Sequence, residues 1–565
     1  MSDVLTTVTT RTRKRSATPQ SQPRTREQVR NKAGGYVYRA DDDIRLHRFL
    51  TLGTDGGTYY TDARELTRDN AEVVFQAART KGGQLVDKIV QISEEGRAPK
   101  NKQALFALAI AASVGDDETR AAALSALPRV ARTGTHLFEF LTYAGQFRGW
   151  GKGLQKAALR WYTSKTPDQV AYQALKYRQR EGWTHADVLR LAHRHGVDVS
   201  GEHAALFNWI VGRRKGRDIT GTPMPADLPK LVGVFEELQS PKALPLARVA
   251  DLIRANPSVS WEMIPDRYIN EPKVWEALID SGLPQTALMR QLPRLTRIGI
   301  TRDSAYVRVI TNQLANPERL RKARVHPINV LVALRTYALG RSDRGSSSWH
   351  PDRKIIDALD AAFYAAFGAV EPAGVRTLEA LDVSGSMAAS ASGLPISCRE
   401  ASAAMAMVTA ATEPNVEIVG FTEGRRGNSY RVPNFLDRYS GCSMALSRLD
   451  ISPRRRLDDN IKAIERLPFG GTDCALPIVW ATETREEFGA FRIYTDGETW
   501  AGNIHVDEAL RNYRDKTGID ARLEIIAMTA NGTSLCDPKD PRQLDVSGFD
   551  STVPQLIADH AAGRI

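Results

Sequence analysis

The stretch that decides the fold is Thr377-Leu378-Glu379-Ala380-Leu381-Asp382-Val383-Ser384-Gly385-Ser386. Thr377 to Val383 is a short, strand-like apolar run that ends in an Asp-x-Ser-x-Ser string. Working outward, Cys398 to Thr412 is an Ala- and Met-rich helix, and Val416 to Phe421 is a strand. Helices follow near Leu457 to Leu467 and Ala475 to Thr482, then a strand at Ala490 to Thr495, a helix at His505 to Tyr513, a strand at Ala521 to Met528 and a closing helix at Val553 to His560. Strand and helix alternate with crossover lengths, which is the signature of a doubly wound, mostly parallel sheet. Ligands of such sheets sit beyond the carboxyl ends of the strands.

Two strands end there in oxygen-bearing residues: Asp382, Ser384 and Ser386 after the first, and Asp496 in Tyr494-Thr495-Asp496-Gly497-Glu498 after a later one. Gly470-Gly471-Thr472-Asp473 opens a helix between them. These are hard oxygens with no sulfur or imidazole nearby, a set that suits Mg²⁺ first, with Mn²⁺ or Ca²⁺ open, better than zinc or copper. The alternative is that the hydroxyls only cap turns. In combination the three strings resemble the metal-ion-dependent adhesion site of von Willebrand A domains. That resemblance implies that Ser384, Ser386 and Thr472 approach one divalent cation directly, with Asp382 and Asp496 acting directly or through water. It also implies that an acidic group on a partner completes the coordination. No base and nucleophile pair is apparent, and the carboxylate clustering of two-metal nucleases is missing, so no catalytic residue is expected.

On the other side of Pro372 the text changes period. From about 62 to 365 apolar residues recur every 3.6 positions, in runs broken by Gly, Pro or Asn. Helices are predicted at Arg64 to Thr80, Gly83 to Glu95, Lys100 to Ser113, Asp117 to Leu127, Thr135 to Gln146, Gly153 to Ser164, Pro167 to Gln179 and His185 to His195. Continuous strand signals are absent, so this part reads as all-α. Many short amphipathic helices on short loops suit a HEAT-like α-solenoid. No strict internal repeat is visible, which leaves a compact irregular helical domain as the alternative. The division is therefore a basic tail over 1–33, expected to be disordered, a helical region over 34–375 and an α/β domain over 376–565. The tail fits equally a solvated segment with no function, an auxiliary phosphate-binding arm, or an Arg- and Ser-rich organelle-targeting segment.

Charge follows the same division. The 565 residues carry a net +11, distributed as +6 over 1–33, +11 over 34–375 and −6 over 376–565. A basic excess in the first two segments points to a polyanionic partner, although a solubilising surface gives the same sum. Arg148, Lys152, Lys156 and Arg160 recur every fourth residue, among Trp150, Trp161 and Tyr162. Spacing of four keeps neighbours on one helix face, although Gly149, Gly151 and Gly153 allow the helix to start only after them. Lys176 and Arg180 follow with the same spacing, and His193 comes from the next helix. Cations interleaved with rings suit RNA, whose phosphates need neutralising and whose bases stack. A solvated charged face is the competing reading, and Trp150, Trp161 and Trp183 are more often core anchors than base platforms. His185 is in the same way a capping or packing group before it is a ligand, and Cys474 a small buried residue before it is a redox centre.

Five strings then coincide with one family: Gly-Gly-Tyr-Val-Tyr from Gly34, Arg45-Leu46-His47-Arg48-Phe49-Leu50, Gly56-Gly57-Thr58-Tyr59-Tyr60, the Lys176 to His193 stretch and Gly470-Gly471-Thr472-Asp473-Cys474. Together they closely resemble the Ro ribonucleoprotein autoantigens, the TROVE-module proteins, from about Gly34 to Phe549. The resemblance implies a ring of HEAT-like helices closed by a von Willebrand A domain, with Y RNA on a basic outer surface. It also implies that misfolded RNA inserts its 3′ end into a central hole. Lys176, Arg180 and His193 match the family's Y RNA contact motif. A partner exoribonuclease and a role in RNA maturation, decay or quality control are implied too, for a protein that is itself monomeric in the particle.

The bulk composition agrees with a folded protein, at 42% apolar and 25% charged residues. No window approaches the ~18 apolar residues of a spanning helix, and no secretory signal opens the chain, so a cytoplasmic, membrane-free protein is expected. Cys398, Cys442, Cys474 and Cys536 have neither zinc-site spacing nor the density of a disulfide framework. Two competing functions stand beside RNA binding: a metal-dependent protein-recognition scaffold for which RNA is incidental, and a metal-dependent nuclease.

Overall fold

The computed structural model describes residues 17–31, 34–39, 42, 45–46, 49–50, 71–95, 101–192, 199, 201–214, 227–302, 305–323, 325–342, 346–391, 394–422, 445–465, 472–497, 499–500, 502–528, 533–537, 539–547 and 553–564. The predicted helices are found among the described residues at Glu72–Thr80, Gly82–Glu95, Lys102–Val114, Asp117–Val130, Gly134–Phe147, Lys152–Thr163, Pro167–Lys176 and His185–Ala192, while 64–70 and 193–195 of the predicted spans lie outside the described residues. Others continue to Pro327–Ala338 and Arg353–Ala365. Lys102–Val114 packs between its neighbours Asp117–Val130 and Gly134–Phe147, and Leu246–Ala255 packs on Pro272–Asp280. Each pair buries its apolar stripe against the next, which gives one continuous core along the array.

Eleven strands are described. They are β1 (Gln28–Arg30), β2 (Tyr36–Arg39), β3 (Gln179–Arg180), β4 (Trp183–Thr184), β5 (Thr377–Asp382), β6 (Val416–Thr422), β7 (Ala445–Arg448), β8 (Ala490–Thr495), β9 (Arg522–Ala527), β10 (Thr533–Ser534) and β11 (Gln543–Ser547). The main sheet has the order β11-β9-β8-β5-β6-β7, parallel throughout except for the antiparallel edge strand β7. The run chosen above as apolar hides a charge. Glu379 of β5, Arg492 of β8 and Glu524 of β9 stand side by side in register, fully buried, with Arg492 Nη1 3.1 Å from Glu379 Oε1. A buried row of this kind is tolerated because opposite charges are direct neighbours.

Two expectations need correction. The region read as all-α contains the β3–β4 hairpin. The tail read as disordered through residue 33 is placed from residue 17: β1 pairs with β2, and β2 pairs with β10 of the C-terminal domain. Gln20 is buried there, and Arg24 forms an ion pair with Asp507. The segment has few apolar residues, so polar side-chain bonds take the place of a hydrophobic anchor. From the other end of the array, Arg335 on Pro327–Ala338 reaches Asp458 at 2.6 Å and pairs with Glu400 on the helix Cys398–Thr412. The α/β domain is thus gripped from both ends of the helical region.

Candidate functional site

At the carboxyl edge of β5 the chain turns into a single 3₁₀ turn, Gly385–Ala388, with Ser384 in the capping position. Ser384 makes no side-chain capping bond. Its Oγ lies 3.0 Å from Ser386 Oγ instead, so the capping alternative does not account for this hydroxyl. Asp382 is fully buried and accepts from three donors: the Ser384 amide at 2.8 Å, Thr495 Oγ1 at 2.9 Å and Thr472 Oγ1 at 3.5 Å. Three chain segments therefore meet on one carboxylate. Burial, with Asp496 close by, pushes the Asp382 carboxyl up to about 6. A desolvated carboxylate beside a second acid is what a hard cation relieves, and the surrounding oxygens are hydroxyls of the right kind. Among the described residues no group of three or more His, Cys, Asp or Glu side chains gathers that could hold a metal ion. Gly470 and Gly471 lie outside the described residues.

Two supports of this site escaped the sequence reading. Thr495, fully buried at the end of β8, orients Asp382, and the visible signal was its place directly before Asp496. The other is the N-terminal segment. Gln20 Nε2 donates to Asp473 Oδ1 at 2.8 Å, and Asn31 Nδ2 donates to the Thr499 carbonyl at 2.7 Å. Burial pushes the Asp473 carboxyl up to about 7, so its two neutral donors, Gln20 and the Ala475 amide, suit it. Cys474 beside it is wholly buried in the sheet core.

The basic residues divide into two groups. Lys152, Lys156 and Arg160 are exposed on one face of Lys152–Thr163, while Leu154, Ala157, Ala158 and Trp161 are buried on the other. Arg148 is exposed as well but caps the preceding helix, since Gly149 takes a positive φ of 77° and separates the two. Among the described residues none of these four cations has an ion-pair partner. A pocket of about 470 Å³ beside the C-terminal helix Val506–Thr517 makes the contrast, because its Arg514, Lys539 and Arg542 are each paired with an acid.

Lys176 and Arg180 do not share a helix face, contrary to expectation. Pro167–Lys176 ends at Lys176 because Tyr177 leaves the helical region (φ −108°, ψ 57°). The chain then reverses at Glu181 and Gly182, both with positive φ, the geometry of a two-residue hairpin loop. Arg180 projects from β3 and is exposed, 3.4 Å from Glu181 and 3.8 Å from the largely buried Glu139. Lys176 is half-buried. Burial works against its charge, but the bond from Nζ to Tyr172 Oη (3.0 Å) and the nearby Glu262 outweigh it, so its pKa is raised. His193 lies outside the described residues.

His185 holds the base of this hairpin. Its Nε2 faces the Tyr177 carbonyl at 3.2 Å, which only accepts, so Nε2 carries the proton and Nδ1 accepts from Tyr162 Oη at 2.8 Å. Its ring lies against Phe138 and Trp161, and it is a packing group. Trp161 is a core anchor, whereas Trp150 and Trp183 are half-buried against each other at 5.4 Å.

Comparison with known proteins identifies two family patterns along the chain. Residues 29–216 and 252–336 match the family pattern of the TROVE domain, and residues 376–561 match that of the Ro60 vWA domain. The chain is 35% identical to the RNA-binding protein RO60 of Caenorhabditis elegans, over 95% of this chain and 90% of that protein. It is also 35% identical to the RNA-binding protein RO60 of Deinococcus radiodurans, over 97% and 98%. The crystal structure of the Deinococcus radiodurans RO (RSR) protein superposes with a TM-score of 0.73 at 33% identity, covering 93% of this chain and all of that one. With a helical array, a von Willebrand A domain and two relatives matched over 90% and 98% of their length in agreement, the chain belongs to the Ro60 family of RNA-binding proteins.

Proposed function

We propose that the chain binds a small structured non-coding RNA of the Y type, through Lys176 and Arg180 and along Arg148, Lys152, Lys156 and Arg160. The observation that carries this is a set of exposed cations with no ion-pair partner among the described residues: Lys152, Lys156 and Arg160 on one face of Lys152–Thr163, and Arg148 at the end of the helix before it. Unpaired guanidinium and ammonium groups on one face attract phosphates without first breaking internal pairs. The family resemblance extends the reading to His193, to the 3′ ends of misfolded RNA, to a partner exoribonuclease and to a cytoplasmic role in RNA quality control by a single protein copy. The relatives' name, RNA-binding protein, supports a binder and not an enzyme.

In this reading one divalent cation, Mg²⁺ first, is held by Ser384, Ser386 and Thr472, with Asp382 and Asp496 supplying negative charge. The cation supplies a positive point that takes an acidic oxygen from a partner. Thr495 and the Ser384 amide hold Asp382 in place for it. That site by itself favours the second reading, a metal-dependent recognition scaffold.

Lys176→Ala with Arg180→Ala separates the two. RNA binding is expected to weaken on the order of tenfold or more, most steeply at raised salt, in a filter-binding or fluorescence titration. Unchanged affinity alongside a protein partnership lost in Asp382→Ala establishes the scaffold reading instead.

A further inference from the structure

The helix Gln285–Arg297 carries a second basic stripe. Leu288, Met289, Leu292 and Leu295 bury one face, and Arg290, Arg294 and Arg297, at positions i, i+4 and i+7, line the other. Arg290 and Arg297 are exposed, and Arg294 is half-buried with its guanidinium 5.9 Å from the rings of both Trp261 and Trp275. Among the described residues none of the three has an ion-pair partner. Between 285 and 325 the sequence has nine Lys or Arg against two acids, so little is at hand to neutralise the stripe.

This stripe continues the surface already described. Arg178, two residues after Lys176, donates from Nη2 to the Glu262 carbonyl at 3.2 Å. Glu262 directly follows Trp261, whose ring Arg294 faces. Asp266 attracts both Arg178 and Arg294, so one acid lies between them. Burial lowers the pKa of Arg294, and repulsion from Arg297 lowers it further. Like charges held along about 10 Å of helix axis repel, and a polyanion laid across them removes that cost.

We propose that Arg290, Arg294 and Arg297 form a second phosphate-binding stripe, which receives the backbone of the same structured RNA as it runs on from the Lys176–Arg180 segment. This rests on the reading of that segment as an RNA contact. The occupant is a sugar-phosphate backbone because the stripe has no apolar centre. The exposed large apolar side chains among the described residues are Val309, Leu339 and Trp500, none of them on this helix, whereas a protein interface needs such a centre. Guanidinium forks match phosphate oxygens in pairs, and contacts of this kind position an RNA without reading its sequence.

The test titrates one long structured RNA over a range of salt against three full-length proteins: the unchanged chain, Lys176→Ala with Arg180→Ala, and Arg290→Gln with Arg297→Gln. Arg294 is left in place because it packs on two tryptophans. The Arg290/Arg297 variant is expected to bind on the order of tenfold more weakly at about 0.1 M salt, and its slope of log affinity against log salt should fall by about 2. Unchanged affinity and slope in that variant, while the Lys176/Arg180 variant weakens, overturns the stripe and leaves the proposed function standing. Weakening in the stripe variant alone removes the Lys176 segment, and with it the proposed path of the RNA from that segment to the stripe. Absence of RNA binding by the unchanged chain removes both.

Discussion

The two halves of the chain differ in which buried groups burial shifts most. In the α/β domain three buried acids are pushed upward, Asp382 to about 6 and Asp473 to about 7, with Glu379 raised as well, beside the buried Arg492. In the helical array three histidines are pushed downward by burial, His136 and His185 to about 4 and His326 to about 3, beside one raised acid, Glu139. One half concentrates negative charge and hydroxyl oxygens at a point, which suits a small cation. The other keeps its interior neutral and spreads positive charge outward over helix faces, which suits an extended polyanion. A point site fails when one ligand is lost, whereas a spread surface loses affinity in steps.

The largest effect expected from that contrast is at Asp382. Asp382→Ala removes the carboxylate on which Ser384, Thr472 and Thr495 converge. Affinity for Mg²⁺ or Mn²⁺ should drop by at least about a hundredfold in a calorimetric titration, since loss of a supporting group alone costs about 10–100-fold. RNA affinity of the same variant should stay within about twofold. A cation affinity that survives puts the site elsewhere. A parallel loss of RNA binding shows that the halves are not independent.

The same contrast explains what the sequence revealed. The oxygen cluster at the end of β5 was legible because a strand end fixes the direction of the next few residues, so that Asp382, Ser384 and Ser386 occupy set positions whatever packs around them. Glu379 was not legible, since its tolerance inside the sheet depends on Arg492 and Glu524, more than a hundred residues away. Spacing of four was a sound guide at Lys152, Lys156 and Arg160 and a false one at Lys176 and Arg180. Spacing carries no information unless the helix persists, and this one ends at Lys176, where Tyr177 leaves the helical region, short of the predicted Gln179 and of Arg180. The Arg290, Arg294 and Arg297 stripe was visible by the very pattern that found Lys152, but its tryptophans, Trp261 and Trp275, lie outside that helix in sequence and meet Arg294 only in the fold. The ordered tail was hidden because its partners, Asp473, Thr499 and Asp507, lie at the far end of the chain.

Acid provides the next test, with an effect of intermediate size. His185 has a folded pKa of about 4 against 6.5 for the free side chain. The unfolded chain therefore binds the extra proton first as pH falls. The stability due to neutral His185 is complete above 6.5, is about 2 kcal/mol smaller by pH 5, and is lost as pH falls through 4. His136 and His326 add in the same direction. For Asp473 the sign reverses: the folded state takes up the proton first, so acidification from about 7 favours folding of the α/β domain. In chelator-treated protein, hydrogen exchange corrected for its intrinsic pH dependence should lose protection over 134–192 between pH 7 and pH 5, and keep it along β5 and β8. Uniform loss across both halves contradicts the division.

The smallest effect is expected at single cations of the spread surface, and its smallness is informative. Lys156 is exposed in the middle of Lys152–Thr163, with Lys152 and Arg160 one turn to either side. Removing it by Lys156→Ala deletes one phosphate contact and leaves both neighbours, so RNA affinity should fall only about two- to fivefold at about 0.1 M salt. The slope against log salt should fall by about 1, and equally for RNAs of different sequence, because a lysine on a phosphate reads charge alone. Lys152→Ala and Arg160→Ala should each give nearly the same value, and the double variant a slope change near the sum. If one of the three instead accounts for almost the whole affinity, or its loss depends on RNA sequence, that side chain contacts a base. The helical face is then a point site like the one at Asp382, and the opposition between the two halves fails.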